Sequence, residues 1–205
     1  MTNPLLNPSN LLYELPPFAL ITDDHYREAF DLGMKEQSQE IRDITSNKSP
    51  ATFENTIVAL ERSGATLTRV SNIFYNKSSS DTNDTIDAIE SEYAPKLAAH
   101  EDSIWLDAEL FARIKTLYER RESLEINGED QWLLELYYKD FVHAGANLSA
   151  EKRERLKAIN EDLSLLETQF AKNVLSDSND LAIVVDSEAE LSGLTPSQIA
   201  AAKSA

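Results

Sequence analysis

The chain has 205 residues, 41% of them apolar, which is enough for one large domain or two small ones with a true core. Its formal net charge of −17 sets it against phosphate backbones and anionic lipid, so neither nucleic acid nor membrane is an expected partner. With no cysteine it can hold no disulfide framework, thiolate metal site or thiol nucleophile.

The opening MTNPLLNPSN lacks the basic and apolar regions of a signal peptide, and the expected location is cytoplasmic. Four of the seven prolines fall in the first 17 residues, and between Ala51 and Thr195 only Pro95 remains. Long helices are therefore allowed almost throughout, and the expected class is all-α: a multi-helix, bundle-like domain behind an extended N-terminal arm. Residues 1–21 form that arm. Its large side chains, among them Leu5, Leu6, Leu11, Tyr13 and Phe18, predict that it lies packed on the helices.

A helical domain is expected over 22–176. Its first helix is capped by Thr22 or Asp23 and buries Tyr26, Phe30, Gly33, Ile41 and Ile44. From Ser49 to Asn76 a stripe of Phe53, Ile57, Leu60, Gly64, Leu67, Val70 and Phe74 has helical spacing and predicts one long helix with Thr52 as N-cap. The polar stretch from Lys77 to Thr85 has turn and cap chemistry. The next stripe is Ile86, Ile89, Tyr93, Leu97, His100 and Ile104, with a kink or break expected at Pro95. Asp107 caps a helix carrying Leu110, Ile114, Leu117, Tyr118 and Leu124. Asn127-Gly128 breaks the chain before a broad apolar helix with Trp132, Leu133, Leu136, Tyr137 and Phe141. Ser149 caps the last long helix, whose Leu156, Ile159, Leu163, Leu166 and Phe170 form a coiled-coil-like seam. Gly33, Gly64 and Gly145 read as points of close helix approach.

Residues 177–205 read as a linker, a short strand over 181–185 (LAIVV) and the start of a helix. No second strand of like quality exists to pair with the first. Thr195, Pro196 and Gln198 make a full helix start with Leu194 and Ile199 as its apolar staple, seven residues before the sequence ends. This predicts that the strand and the helix find their partners in a following domain.

No catalytic, cofactor-binding or metal-binding residue is expected in this chain. His25, His100 and His143 are too far apart to pair at helical spacing, so no zinc helix is present. Asp23-Asp24-His25 reads as helix-start chemistry, His100 as a core histidine, and His143 as a cation favoured at a helix C-terminus. Ser78-Ser79-Ser80 reads as a solvated loop. The acidic pairs Glu101-Asp102, Glu129-Asp130 and Glu161-Asp162 read as solvated faces, and Trp105 and Trp132 as core or interface aromatics.

Several stretches nevertheless share order and spacing with a known family. They are Asn3-Pro4-Leu5-Leu6, Tyr26 to Phe30, Thr52-Phe53-Glu54-Asn55-Thr56-Ile57 with Ala59 to Gly64, Glu109 to Ile114, Arg120 to Leu124, Asp140 to Leu148, and Leu191 to Leu194. Together they resemble the N-terminal region of the thimet oligopeptidase-type zinc peptidases over essentially all 205 residues. The peptidyl-dipeptidase branch fits best, and the oligopeptidase A branch is the alternative. The resemblance implies a non-catalytic helical domain that forms one wall of a channel for short peptides. Its partner would be its own C-terminal catalytic domain, which holds one zinc in a His-Glu-x-x-His helix with a downstream glutamate. None of those residues occurs here. A reading of another class is a freestanding acidic interaction module, with the seam from Leu156 to Phe170 as its partner groove.

Overall fold

The computed structural model describes residues 3–181, 183–185 and 187–203. The chain divides into two compact units, Met1–Thr168 and Gln169–Ala205. The first is helical throughout: α1 (Asp24–Ser46), a π-helical turn (Phe53–Val58) running into α2 (Ala59–Glu61), α3 (Ala65–Ser80), α4 (Asp84–Trp105), α5 (Ala108–Glu119), α6 (Gly128–His143) and the start of α7 (Ala150–Asp180). The all-α reading holds.

The apolar stripes built two cores in this unit. One joins the first half of α1 to α3 and α4 through Tyr26, Phe30, Val70, Phe74, Ile86, Ile89 and Tyr93. The other joins the end of α1 to the π turn, α5 and α6 through Ile41, Ile44, Ile57, Leu110, Ile114, Leu117, Leu134 and Phe141. Helix α1 thus runs along both. Where it crosses α3 the approach is close: a Cβ on Gly33 would stand 2.9 Å from the Leu67 Cα. That agrees with the reading of Gly33, since a larger side chain would force overpacking. The Tyr26 ring is fully buried and its hydroxyl has no partner among the described residues. Burial, followed by the charge of Asp23, pushes that hydroxyl up to about 12.

Caps fall where the sequence placed several of them. Thr52 accepts from the Asn55 N–H at 3.1 Å while Asn55 Oδ1 accepts from the Thr52 N–H at 2.9 Å. Asp107 accepts from the Leu110 N–H at 2.7 Å, Asn127 from the Glu129 and Asp130 N–H groups, and Ser149 from the Lys152 N–H at 3.4 Å. At the head of α1 the chemistry differs. Asp23 makes no side-chain cap, and His25 Nδ1 instead accepts from the Thr22 N–H at 3.0 Å.

Four expectations need correction. The stretch Ser49 to Asn76 is not one helix. The chain leaves the helix after Glu61 and turns through Gly64 at φ 75° before α3 begins. Glycine takes this left-handed conformation without the Cβ clash other residues meet, so a local turn replaces a continuous ladder. Pro95 does not break α4, which is helical from Asp84 to Trp105. Buried residues on both sides of the proline hold the helix in place, and Tyr93 anchors it through hydrogen bonds to Arg27 O and Asp31. Lys77 to Ser80 are the last turn of α3, where the Ser79 and Ser80 hydroxyls donate to carbonyls one turn back. Trp132, read as a core or interface aromatic, is 62% exposed and belongs to neither core, so the core alternative falls.

The arm enters the fold at its beginning. Leu5 is buried in the α1–α3–α4 core, and Asn3 Nδ2 donates to His25 O at 2.8 Å and Glu28 Oε2 at 3.0 Å. Arg69 of α3 donates to the carbonyls of Leu5 and Leu6. From Leu11 to Leu20 the large apolar side chains remain exposed around two short 3-10 turns.

In the second unit α7 ends at Asp180. Thr195 and Gln198 form the reciprocal cap expected of them at the head of α8 (Pro196–Ala202), the Thr195 N–H donating to Gln198 Oε1 at 2.8 Å. The strand expected over 181–185 is not seen. Leu181 closes a turn onto Asp177 O, Ile183, Val184 and Val185 belong to no regular element, and Ala182 lies outside the described residues. No strand exists among the described residues to offer a ladder, and β propensity expresses itself only against a paired neighbour.

Candidate functional site

The turn at Gly64 opens the molecule between its two cores. A cleft of about 440 Å³ lies there, within the size range of small-ligand sites. Its walls come from α1 (Gln37), α2 and the Gly64 turn (Leu60, Glu61, Ser63), α3 (Leu67, Tyr75), α4 (His100, Glu101, Ile104, Trp105) and α6 (Tyr137, Phe141). The geometry follows from the helix break. Leu60 belongs to one core and Leu67 to the other, so the residues between them stand at the gap.

Gly64 sits against the floor of this arrangement. Its N–H donates to Glu40 Oε2 at 2.7 Å, and a Cβ there would meet the Gln37 carboxamide at 2.3 Å. Gln37 Oε1 in turn accepts from His100 Nε2–H at 2.8 Å. Because the carboxamide oxygen can only accept, Nε2 carries the proton. In the neutral ring Nδ1 is then a bare acceptor. His100 is 8% exposed, and Nδ1 has no hydrogen-bond partner among the described residues.

Burial holds His100 below the ordinary histidine value of 6.5. The sign of its effect on stability follows. As pH falls below 6.5 the unfolded chain takes up this proton before the folded one does, so the contribution is complete above 6.5 and is lost as pH drops toward the folded pKa. The ring is expected to titrate below 6.5 by NMR. The fall in unfolding free energy between pH 7.5 and 5.5 is expected to be smaller in His100→Gln than in the unaltered chain. Equal falls in the two proteins would refute this.

The other polar groups of the cleft are acidic or phenolic. The Tyr137 hydroxyl donates to Glu61 in a short hydrogen bond. Burial first, then this bond and the charges of Glu61 and Asp140, holds the phenol well above its ordinary value. Partial burial, then the neighbouring Asp102, raises Glu101. Burial, with Glu90 and Glu101, raises Tyr75. Trp105 lies tilted on Phe141 with ring centroids 4.7 Å apart and stacks on Tyr137 at 6.4 Å.

Of the residues weighed from sequence, this cleft brings together only His100, Glu101 and Trp105. His100 is buried as expected, yet it also faces a cavity. Glu101 reaches solvent but belongs to the cleft wall, while its neighbour Asp102 accepts from Asn160 Nδ2 of α7 at 2.7 Å. Asp23 accepts from Asn83 Nδ2 at 3.0 Å, and Ser78 donates to Glu90 at 2.8 Å. His143 is exposed at the end of α6. Among the described residues no group of three His, Cys, Asp or Glu side chains converges to hold a metal ion, and no helix is long and apolar enough to cross a membrane. The sequence reading missed Gln37, Glu61 and Tyr137. They lie 24 to 100 residues apart in the chain, and no local spacing marks them as neighbours.

No family model matches the chain. Curated proteins do. The dipeptidyl carboxypeptidase of Salmonella typhimurium is 37% identical over 204 residues, and that of Escherichia coli is 38% identical over 203 residues. Oligopeptidase A of Escherichia coli is 29% identical over 210 residues. Each match takes in 99% or more of this chain, yet the chain spans only about 30% of the length of the curated relatives it matches. This helical chain is thus similar along essentially its whole length to one part of two kinds of peptidase. It is more similar to the dipeptidyl carboxypeptidases, which match it at 37–38%, than to oligopeptidase A, which matches it at 29%.

Proposed function

We propose that this chain is the N-terminal, non-catalytic helical part of a zinc metallopeptidase that removes dipeptides from the C-terminal end of short peptides. It would form part of the wall of the substrate channel, with short peptides and its own catalytic domain as partners, in the cytoplasm. The observation that carries this reading is identity of 37–38% along the entire chain to dipeptidyl carboxypeptidases, over a share of only 30% of their length. Zinc and the glutamate that activates its water would belong to the catalytic domain. The division in this reading follows 1–21 as arm, 22–176 as helical domain and 177–205 as the lead into the catalytic part.

The test is expression of the chain with and without the gene sequence that follows residue 205. The longer protein is expected to contain His-Glu-x-x-His and to release C-terminal dipeptides in an EDTA-sensitive reaction, while the 205-residue chain releases none. A stop codon after Ala205 in the natural gene, or dipeptide release by the short chain, would overturn the proposal. The freestanding-module reading has one observation in its favour. The seam residues Ile159, Leu163, Leu166 and Phe170 are all exposed on α7. It predicts that stop codon.

A further inference from the structure

We propose that the cleft beside Gly64 is a binding site for an organic cation on an apolar stem, the ammonium end of a peptide. Three independent features of the wall point to this ligand. Its charged groups are of one sign: Glu61 and Glu101 stand on it, and no lysine or arginine does among the described residues. His100, more than nine-tenths buried, lines it, and its Nδ1 has no hydrogen-bond partner among the described residues while Nε2–H is committed to Gln37. Its flat surfaces are aromatic, with Trp105 and Tyr137 stacked on one side and Tyr75 on another.

Each feature selects the same chemistry. Carboxylates and a neutral imidazole nitrogen accept hydrogen bonds, so the complement is a group rich in N–H donors. Aromatic faces attract cations and repel anions through the ring quadrupole. Apolar side chains between the two cores, Leu60, Leu67 and Ile104, offer a bed for the stem behind the charge. An anionic or purely apolar ligand would desolvate Glu61, Glu101 and Nδ1 with no new donor for any of them, which is unfavourable.

The cation is inferred from the cleft alone. The choice of a peptide to bear it rests on the proposed function. Two peptide groups carry this chemistry, the N-terminal ammonium and a lysine side chain, and the test separates them.

The chain with Trp132→Phe retains Trp105 as its single tryptophan, and Trp132 lies exposed and away from the cleft. Its emission is titrated with tetra-alanine amide, with the N-acetylated form of that peptide, and with the N-acetylated form carrying lysine in first place. Saturable change with the free-amine peptide, at least tenfold weaker with the neutral acetylated one, is the expected result. Recovery with the acetylated lysine peptide would assign the site to side chains as well as termini; no recovery would confine it to the terminus. Glu61→Gln and Glu101→Gln, which keep side-chain shape, are each expected to weaken the cationic peptide about tenfold, as for a lost charge-assisted hydrogen bond. Their weak binding of the neutral peptide stays unchanged.

Equal affinity for the free and acetylated peptides, or no saturable change with any of them, would overturn the proposal on the wild-type cleft without recourse to a variant. Unaltered cation binding in both glutamine variants would do the same. Cation binding in a protein whose longer form releases no dipeptide would sink the peptidase reading and leave the cleft standing. Dipeptide release without cation binding would do the reverse.

Discussion

Phe30→Ala is expected to lower the unfolding free energy by about 3–5 kcal/mol, the usual cost of emptying a fully buried phenylalanine site. The ring has no solvent exposure and joins three helices. It meets Phe74 of α3 edge-on at 5.2 Å and stacks on Tyr93 of α4 at 5.0 Å. Phe74 also takes the edge of Tyr26 at 5.1 Å, so one truncation strips partners from a connected aromatic set. The neighbours are themselves pinned, since Tyr93 hydrogen-bonds to Arg27 O and Asp31 and cannot slide into the gap. A cavity that cannot collapse falls at the costly end of the range. Domains of this kind have about 5–15 kcal/mol in total, so a large share is at stake. Urea unfolding followed by circular dichroism measures it, with Trp132→Phe as a control expected to stay within about 0.5 kcal/mol. A loss below about 1 kcal/mol for Phe30→Ala would mean that this core does not hold the three helices together.

The helices were readable because burial repeats at helical spacing. Ile86, Ile89, Tyr93 and Ile104 are all buried on α4, as are Leu110, Ile114 and Leu117 on α5. The same rule misled between Ser49 and Asn76. The buried positions Ile57, Leu60, Leu67, Val70 and Phe74 keep helical intervals across the Gly64 turn, so periodicity alone could not see the break. The pair Ser63-Gly64 was the local signal, a glycine placed to take positive φ. At Pro95, read as a kink or a break, the break does not occur. The proline's penalty of about 3 kcal/mol is a local quantity, and tertiary contacts on both sides outweigh it. On α7 the seam was correctly apolar, but periodicity says which residues share a face and not whether anything covers it.

The cleft was the least legible feature. Its chemistry depends on Gln37, Glu61, His100 and Tyr137, which four separate elements carry to one place. In sequence His100 is one position in a stripe and Glu101-Asp102 one acidic pair among several. What separates Glu101 from Asp102 is that Glu101 reaches the cleft wall, while Asp102 bonds to Asn160. The resemblance carried by TFENTI and ALERSG located the family, yet gave no reason for those residues. The structure supplies one for the second stretch, whose Leu60, Glu61 and Ser63 line the cleft, while the first forms the capped π turn that leads into it.

Arg113→Ala is expected to cost about 3 kcal/mol, as for losing a charged group that several partly buried acceptors depend on. Arg113 lies on α5 and reaches back to the entry of the π turn. Nη1 donates to Asn47 O at 2.9 Å and Ser49 O at 3.3 Å, Nη2 to Asn55 Oδ1 at 2.8 Å, and Nε to Thr56 Oγ1 at 3.3 Å. Arg120 adds a bond to Ala51 O two turns further along. The loop from Asn47 to Ala51 has no regular structure to pair its carbonyls, so the guanidinium takes the place of a ladder. These bonds share acceptors and one side chain, and their energies are not additive. Lysine carries the same charge as a single point and cannot span the four acceptors, so Arg113→Lys is expected to recover less than half of the loss. Glu61 stands eight residues beyond Phe53, where the π turn begins, which makes the clamp a positioning device for the cleft. If so, Arg113→Lys under native conditions weakens cationic-peptide binding severalfold while leaving the Trp105–Phe141 contact intact. Melts of Arg113→Ala that superimpose on the unaltered chain would refute the clamp. Destabilisation of both variants with unchanged peptide affinity would confine Arg113 to holding the loop.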